Sequence, residues 1–229
     1  MKTFKIIVLA SANGSGKGTF GRYLSQMDPK FVHIDAGNIV RSEIKNQTDV
    51  GKKIQPIYES CKYLDESIDE IIWHELIKNK ITKGLEKNKT IIIDGCLRSN
   101  TTFNLLDKFI KSNNLTADTW LVQLIASDAT CIKRILARRT CPKCNKNYNL
   151  LLLQDKSKNC DNCCVELEIR KSDTQNFTKE RLLHFHEHIE PILDKAKNFY
   201  KFIKIDTECK FEELHKKYTE LFFCKKQLK

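Results

Sequence analysis

Apolar residues in this chain form short continuous runs that alternate with longer stretches of helical spacing. The runs cover residues 6–10, 31–35, 90–94, 120–126 and 202–206. Their length and their β-branched residues are typical of buried strands. Between the runs, apolar positions recur every three or four residues, which predicts helices from 17, at 36–45, from 51, and at 65–85, 102–110, 129–139, 174–200 and 211–223. This alternation predicts an α/β fold: a doubly wound, five-stranded parallel sheet with helices on both faces.

The first strand runs directly into a glycine-rich turn, and the following helix begins at Lys17. Glycine permits backbone conformations that a Cβ forbids, so several N–H groups of such a turn can converge on one anion. The helix N-terminus adds partial positive charge, and the lysine adds a full one. We therefore expect a phosphate-binding loop made of Asn13, Gly14, Ser15, Gly16, Lys17, Gly18 and Thr19.

Two further strands end on polar residues. Asp35 closes the second run, and Asp94 followed by Gly95 closes the third. In a parallel sheet, ligands bind outside the carboxyl ends of the strands. We therefore expect the phosphate-binding loop, Asp35 and Asp94 to face one crevice.

The composition indicates which kind of molecule the protein binds and in which cellular compartment it is found. The 229 residues suit one α/β domain with insertions, and the net charge of +11, spread over scattered lysines, indicates an anionic partner. The chain has ten cysteines, and a high cysteine content is typical of secreted proteins with disulfides. The apolar run at 6–10, however, is too short for the hydrophobic region of a signal peptide. No segment reaches the length of a membrane span. The sequence therefore predicts a cytoplasmic protein, without a membrane partner, whose thiols are reduced or bound to metal.

Four cysteines have the spacing of a metal site. Cys141 and Cys144 form one C-x₂-C pair, and Cys160 and Cys163 form a second pair after fifteen intervening residues. This spacing fits structural zinc sites, in which four thiolates complete a tetrahedron. Cys164 is an alternative fourth ligand, and spacing alone favours Cys163. Residues 141–166 lack helical periodicity, so we expect Zn²⁺ to stabilise an insert that has too little apolar content to fold alone.

Several segments resemble those of one enzyme family. They are N-G-S-G-K-G-T at 13–19, H-I-D-A-G-N-I-V-R at 33–41, I-I-I-D-G-C-L-R at 91–98, R-I-L-A-R-R-T-C-P-K-C at 134–144 and R-K-S-D at 170–173. In these segments the chain resembles a nucleoside monophosphate kinase of the adenylate kinase family, in its long-lid, zinc-binding form. The resemblance implies a P-loop kinase that acts as a monomer. It also implies a core (1–35, 67–139 and 173–229), a nucleoside monophosphate-binding arm (36–66) and a zinc-binding lid (140–172).

The resemblance implies reversible phosphoryl transfer from Mg²⁺-ATP to a nucleoside monophosphate, with AMP as the expected acceptor. Such a transfer brings two anions together, and arginine suits the task because its planar fork binds phosphate bidentately. The implied catalytic residues are Lys17, Arg98, Arg138, Arg170, Arg181 and Asp94, the last near Mg²⁺. The donor would be bound by residues 13–19, Arg134 and Arg138. The acceptor would be bound by Ala36, Arg41, Gly95, Arg98, Thr102, Arg170 and Arg181.

Five positions depart from the family pattern. Ser11, Cys96 and Leu97 replace a glycine, a phenylalanine and a proline that are usual there. Ala36 and Thr102 replace the threonine and the glutamine that accompany adenine, and alanine at the first position is typical of uridylate–cytidylate kinases. A kinase for UMP or CMP is therefore an alternative hypothesis.

A hypothesis from another class is a basic zinc ribbon that binds nucleic acid. Residues 141–164 carry no concentrated basic patch, so we expect no nucleic-acid partner. His184, His186 and His188 alternate on a predicted helix, where residues two apart do not share a face. We interpret these histidines as solvent or packing residues.

Overall fold

Seven strands form two sheets in the part of the chain that the structure describes. The structure is a computed structural model that describes residues 4–59, 66–152 and 158–223. The strands are β1 (Ile6–Leu9), β2 (Phe31–Asp35), β3 (Thr90–Asp94), β4 (Thr119–Ile125), β5 (Arg138–Thr140), β6 (Asn147–Asn149) and β7 (Lys201–Asp206). The larger sheet has the order β2-β3-β1-β4-β7, and all its neighbouring strands are parallel. The predicted five-stranded parallel sheet is confirmed.

Ten α-helices lie in the described ranges. They are α1 (Lys17–Met27), α2 (Ala36–Lys45), α3 (Asp49–Glu59), α4 (Glu66–Ile71), α5 (Lys78–Glu86), α6 (Asn100–Ser112), α7 (Asp128–Leu136), α8 (Gln175–His184), α9 (Glu190–Ala196) and α10 (Phe211–Phe222). π-Helical segments at Ile72–Ile77 and Phe185–Ile189 join α4 to α5 and α8 to α9. The helix predicted at 65–85 is therefore present, although residue 65 lies outside the described residues. Among the helices described, none has both the length and the apolar character that crossing a bilayer requires.

The sheet is buried on both faces because successive β1 residues point to opposite sides. Ile6 and Val8 pack in a cluster with residues of α2 to α6, whereas Ile7 and Leu9 pack against α1 and α10. Three of these four side chains are completely shielded from solvent, and the fourth nearly so. A strand buried on both faces reads as a continuous apolar run, which is why the sequence identifies β1 so clearly.

The helix predicted at 129–139 is wrong at its C-terminal end. α7 ends at Leu136, and Arg138 already belongs to β5, which pairs with β6 in an antiparallel hairpin. Thr140 also exchanges backbone hydrogen bonds with Glu168. Pairing with a distant segment thus ends the helix earlier than its local pattern predicts.

The arm and the lid touch each other across the crevice. α2 and α3 lie within the segment expected to form the arm (36–66). β6 and the two cysteine pairs lie within the expected lid (140–172), and β5 leads into it. Lys45, at the end of α2, donates hydrogen bonds from Nζ to the carbonyl oxygens of Pro142 (2.7 Å) and Lys143 (2.9 Å). Asn145 Nδ2 also donates to Ser42 Oγ at 3.3 Å. These contacts enclose the space above the carboxyl ends of the strands.

Candidate active site

One large cavity of about 910 Å³ lies between the carboxyl ends of the strands, the arm and the lid. Its walls bring together residues from segments that are far apart in the chain. The predicted site residues that line it are Asn13, Gly14, Ser15, Gly16, Lys17, Gly18, Thr19, Arg41, Asp94, Gly95, Arg98, Arg134, Arg138, Arg170 and Arg181. Ala36 and Thr102 do not line it. The expected crevice therefore exists, and most of the predicted residues face it.

The glycine-rich loop is held against α7. Gly14 has a φ of +90°, and a Cβ there would lie 2.5 Å from the Cys131 carbonyl oxygen. Gly16, with a φ of +105°, caps α1 and is likewise left-handed. Glycine is therefore required at both positions for the loop to wrap around an anion.

The Lys17 side chain folds back towards the start of this loop. Its Nζ donates to the carbonyl oxygens of Ser11 (2.6 Å) and Ala12 (2.9 Å). Burial lowers the pKa of the ammonium, and Asp94 is the main charge that opposes this shift. A buried cation beside a ring of N–H groups favours a bound anion, because the anion restores the charge balance that burial removes.

Local packing and hydrogen bonding explain Ser11, Cys96 and Leu97, three of the residues that depart from the family pattern. Ser11 is buried, and its hydroxyl accepts a hydrogen bond from the Leu124 N–H at 2.7 Å, which ties the loop to β4. Cys96 is buried, and burial raises the pKa of its thiol to about 12, so it packs as a neutral group. Leu97 packs with apolar residues of α7, α8 and α9.

Arg41, Arg138 and Arg170 come from three separate segments and form a cluster of like charge. Arg138 binds Asp173 bidentately, with Nε and Nη2 donating to the two carboxylate oxygens at 2.7 and 2.5 Å. Arg170 donates to Thr140 Oγ1 at 2.9 Å and also to Asn147 Oδ1. Burial, followed by the nearby Arg41 and Arg138 guanidiniums, lowers the pKa of Arg170 to about 9. A polyanion placed among these groups would relieve their repulsion.

Arg98 is held by a buried carboxylate. Its Nη2 donates to Asp69 Oδ1 at 2.8 Å, and Ser99 Oγ donates to the other oxygen of Asp69 at 2.7 Å. Its Nε and the Nε of Arg41 are buried without a hydrogen-bond partner among the described residues. Both guanidiniums thus retain donors for a ligand in the cavity.

Thr102 and Ala36 are next to residues of the cavity wall but do not line the cavity themselves. The Thr102 hydroxyl accepts from the N–H groups of Arg98 and Ser99, both at 3.0 Å, and so belongs to the N-terminal cap of α6. Ala36 is buried at the start of α2, and its Cβ lies 4.0 Å from where a Cβ on Gly95 would stand. Thr102 thus contacts Arg98 and Ser99, and Ala36 lies beside Gly95, all of which line the cavity.

Two carboxylates stand side by side at the floor of the cavity. The register of β2 and β3 pairs Asp35 with Asp94. Asp94 is buried, and His33 Nε2 lies 3.4 Å from its Oδ2. Asp35 accepts from the Asn38 N–H at 2.8 Å and caps α2. Mg²⁺ binds one or two carboxylates while it keeps several waters, so a carboxylate that faces the cavity beside the phosphate-binding loop fits this ion.

Arg134 connects the loop to the end of the sheet. It donates to Thr207 Oγ1 at 3.0 Å and to the Thr207 carbonyl oxygen at 2.6 Å. The Thr207 hydroxyl in turn donates to the Ser15 carbonyl oxygen at 3.0 Å. The position of Arg134 is thereby fixed relative to the phosphate-binding loop.

Several residues of the cavity wall are missed by the motifs. The Tyr23 and His215 rings stack with centroids 4.0 Å apart, and the Phe211 ring is tilted against His215 at the same centroid distance of 4.0 Å. These aromatic residues belong to α1 and α10, and all three line the cavity. Their spacing in the sequence is that of amphipathic helices, so only the packing of α1 against α10 identifies them as site residues.

Two of the three histidines lie on the cavity wall, a position that their spacing in the sequence does not indicate. His184 and His188 are four residues apart on one helical face, their rings are 4.6 Å apart, and both line the cavity. His186 lies on the opposite face, between Asp128 (3.1 Å) and Glu190 (2.9 Å). Those two carboxylates raise its pKa.

The four predicted cysteines meet at one point of the lid. One sulfur atom from each of Cys141, Cys144, Cys160 and Cys163 lies within 4.8 Å of the others. The sulfurs of Cys144 and Cys160 are 3.7 Å apart, and the Tyr148 hydroxyl donates to Cys160 Sγ at 3.2 Å. Zinc–sulfur bonds of about 2.3 Å in a tetrahedron require such spacing, so the cluster fits Zn²⁺. Cys164 is not part of the cluster.

Comparison with known proteins agrees with this geometry. The model of the adenylate kinase family matches residues 9–201. The adenylate kinase of Borreliella burgdorferi is 29% identical over 220 residues, which cover 96% of this chain and 99% of that protein. The adenylate kinase of Petrotoga mobilis is 30% identical over 210 residues, covering 91% of this chain and 92% of that protein. The adenylate kinase of Pseudothermotoga lettingae is 33% identical over 190 residues, covering 82% and 84%.

Proposed function

This chain belongs to the adenylate kinase family, and from this premise we propose how its residues transfer a phosphoryl group between ATP and AMP. The enzyme is a phosphotransferase that converts ATP and AMP reversibly into two ADP. Family membership favours AMP over UMP or CMP as the acceptor. It equally favours catalysis over nucleic-acid binding.

The observation that carries the proposal is the convergence of cations from separate elements on one cavity. Lys17 and the amides of residues 13–19 would hold the donor phosphates, and Arg134 would lie against the donor base. Arg41 and Arg98 would hold the acceptor phosphate. The transferred group would lie between Arg138, Arg170 and Arg181. Phosphoryl transfer depends on positioning and charge stabilisation, and these six arginines and the lysine supply both.

Asp94 would hold Mg²⁺ through water molecules, with the ion bound to the donor phosphates. When bound, the ion neutralises charge that develops during transfer. The buried position of Asp94 and the adjacent His33 support this role, because they fix the carboxylate in one orientation. Gly95, with a φ of +75°, keeps the acceptor side open, while Ala36 and Thr102 would support that side from beneath.

The lid would carry one structural Zn²⁺ on Cys141, Cys144, Cys160 and Cys163. Residues 1–35, 67–139 and 173–229 would act as the core, residues 36–66 as the acceptor arm and residues 140–172 as the lid. Contact between the arm and the lid supports a closed state that excludes water from the donor. We further infer a monomer that works in the cytoplasm, since one chain supplies every residue that the reaction requires.

A panel of AMP, UMP, CMP and GMP with Mg²⁺-ATP tests this function directly. AMP should give the highest kcat/KM. Lys17→Ala should lower kcat/KM by about a hundredfold or more, because it removes a preorganised charge. Lys179→Ala, an exposed lysine outside the cavity, is the matched control.

Circular dichroism and Tm of both variants separate a folding defect from a loss of catalysis, and Lys17→Arg provides a variant that keeps the charge. Faster turnover of UMP or CMP than of AMP would contradict the acceptor assignment. Near-normal turnover by folded Lys17→Ala would contradict the role of the loop.

A further inference from the structure

Arg22 is a cation of the cavity that belongs to none of the motifs. It lies on α1, five residues after Lys17, and its side chain is half-buried. It lines the main cavity and also a second cavity of about 860 Å³ that lies beside the β2 edge of the sheet. Asp35 lines both cavities too, so these two residues form part of the wall between them.

The guanidinium of Arg22 reaches the floor of the main cavity. Arg22 Nη1 lies 3.6 Å from the position that a Cβ on Gly18 would occupy, and Asp94 Oδ2 lies 3.8 Å from that same position. The missing side chain of Gly18 therefore leaves one small space that both charged groups border. A hydrated ion bound to Asp94 would share this space with Arg22.

The surroundings of Arg22 are acidic, yet none of its donors is used. Burial lowers the pKa of its guanidinium, and Asp35 and Asp94 are the charges that oppose this shift. Within the described ranges Arg22 forms no hydrogen bond or ion pair. The Lys17 ammonium is instead directed at the carbonyl oxygens of its own loop. Arg22 is therefore a guanidinium next to the carboxylate pair that is not committed to another partner.

We propose that the positive charge of Arg22, which borders the same small space as Asp94, opposes the hydrated metal at Asp94 and thereby weakens the binding of divalent metal to the enzyme–nucleotide complex. The proposal rests on the role proposed above for Asp94. A fixed positive charge near a doubly charged ion opposes its binding, and in a partly buried site the effect is about tenfold in affinity. Easier release of the metal with the product nucleotide is the functional consequence.

The test measures metal binding without turnover. Free Mn²⁺ is followed by electron paramagnetic resonance while it is titrated into the enzyme saturated with a non-hydrolysable ATP analogue. Arg22→Gln should bind Mn²⁺ about tenfold more tightly than the native chain, and Arg22→Lys should restore the native affinity. Lys179→Gln, which removes an exposed charge outside both cavities, should leave Mn²⁺ affinity unchanged.

Two results would overturn the proposal. One is equal or weaker Mn²⁺ binding by folded Arg22→Gln. The other is a tenfold loss of affinity for the analogue without metal, because Arg22 would then bind the nucleotide directly. Asp94→Asn separates this outcome from a failure of the proposed function: unchanged Mn²⁺ binding by that variant would contradict the role of Asp94 itself.

Discussion

Cys163 and Cys164 are adjacent in the chain, but only one of the two thiols joins the cluster of the lid. Cys164 has a φ of +54°, which is left-handed, and its N–H donates to the Cys160 carbonyl oxygen at 2.8 Å. This turn closes the second cysteine pair and leaves the Cys164 thiol exposed. The geometry of the turn therefore distinguishes two residues with the same chemistry.

Replacing each of the two cysteines by serine tests this distinction. Cys163→Ser should lose the metal, from one Zn²⁺ per chain to almost none, and should lower Tm by several degrees because a thiolate ligand is missing. Cys164→Ser is the matched control and should keep both. Metal analysis and thermal unfolding decide the outcome, and the reverse pattern would make Cys164 the ligand.

The sequence predicts those site residues whose roles depend on contiguous motifs. The loop from Asn13 to Thr19 is an example, since its geometry is encoded by the order of its own residues. Arg22 lacks such a signal, because an arginine on an amphipathic helix has the same spacing whether it faces solvent or a cavity. Thr102 shows the opposite case. Its position in the family pattern predicts a contact with the acceptor base, but its hydroxyl is part of the N-terminal cap of α6.

At the scale of the elements, the arm depends on the close crossing of α2 and α3. Gly51 lies at this crossing, and a Cβ there would be 2.1 Å from the Glu43 carbonyl oxygen. The Thr48 hydroxyl donates to Glu43 Oε2 at 2.7 Å and accepts from the Gly51 N–H at 3.0 Å. The hydrogen bonds and the absent side chain together fix the angle between the two helices.

We expect Gly51→Ala to weaken AMP binding selectively. Alanine favours the helix by about 0.5–1 kcal/mol, but a backbone clash this close forces α2 and α3 apart at about 1–3 kcal/mol. The KM for AMP should rise about tenfold as Arg41 moves with α2, while the KM for ATP stays near its native value. Lys52→Ala, an exposed neighbour, should change neither. Equal losses for both nucleotides would indicate general unfolding rather than a displaced arm.

The elements themselves are largely readable from local pattern, and the differences arise where distant segments interact. β2, β3 and α2 have the predicted bounds, and each ends on a charged residue of its own: Asp35, Asp94 and Lys45. The end of α7 is set by the start of β5, whose Thr140 pairs with Glu168, a residue too distant in the chain for a local window to contain. The π-helical segments are equally invisible, because one extra residue in a turn hardly changes the apolar period.

At the scale of the whole molecule, the fold concentrates part of the positive charge of the chain at one place. A net charge of +11 indicates only an anionic partner. The fold brings Arg41, Arg138 and Arg170 together from separate segments, so we expect the substrate phosphates to relieve the repulsion between these arginines. The proposed lid and arm should therefore be more stable together when nucleotides lie between them.

The hydrogen bonds of Lys45 have a consequence for the metal. The carbonyl groups that accept them belong to Pro142 and Lys143, the two residues between the cysteines of the first pair. A metal that orders this pair therefore also orders the surface on which the arm rests. We therefore expect Zn²⁺ in the cysteine cluster and AMP in the main cavity to act as heterotropic effectors of each other.

Thermodynamic linkage requires the two effects to be equal: if Zn²⁺ raises AMP affinity by some factor, AMP raises Zn²⁺ affinity by the same factor. Two exposed hydrogen bonds correspond to a factor of about five. Calorimetry should measure AMP affinity with and without a chelator, and competition with a chelator should measure Zn²⁺ affinity with and without AMP. Both affinities should change by that same factor. Lys45→Met should reduce both factors to about one, whereas unequal or absent factors in the native chain would remove the link. A cell short of zinc would then contain an enzyme that senses AMP less well, although the four clustered cysteines do not line the main cavity.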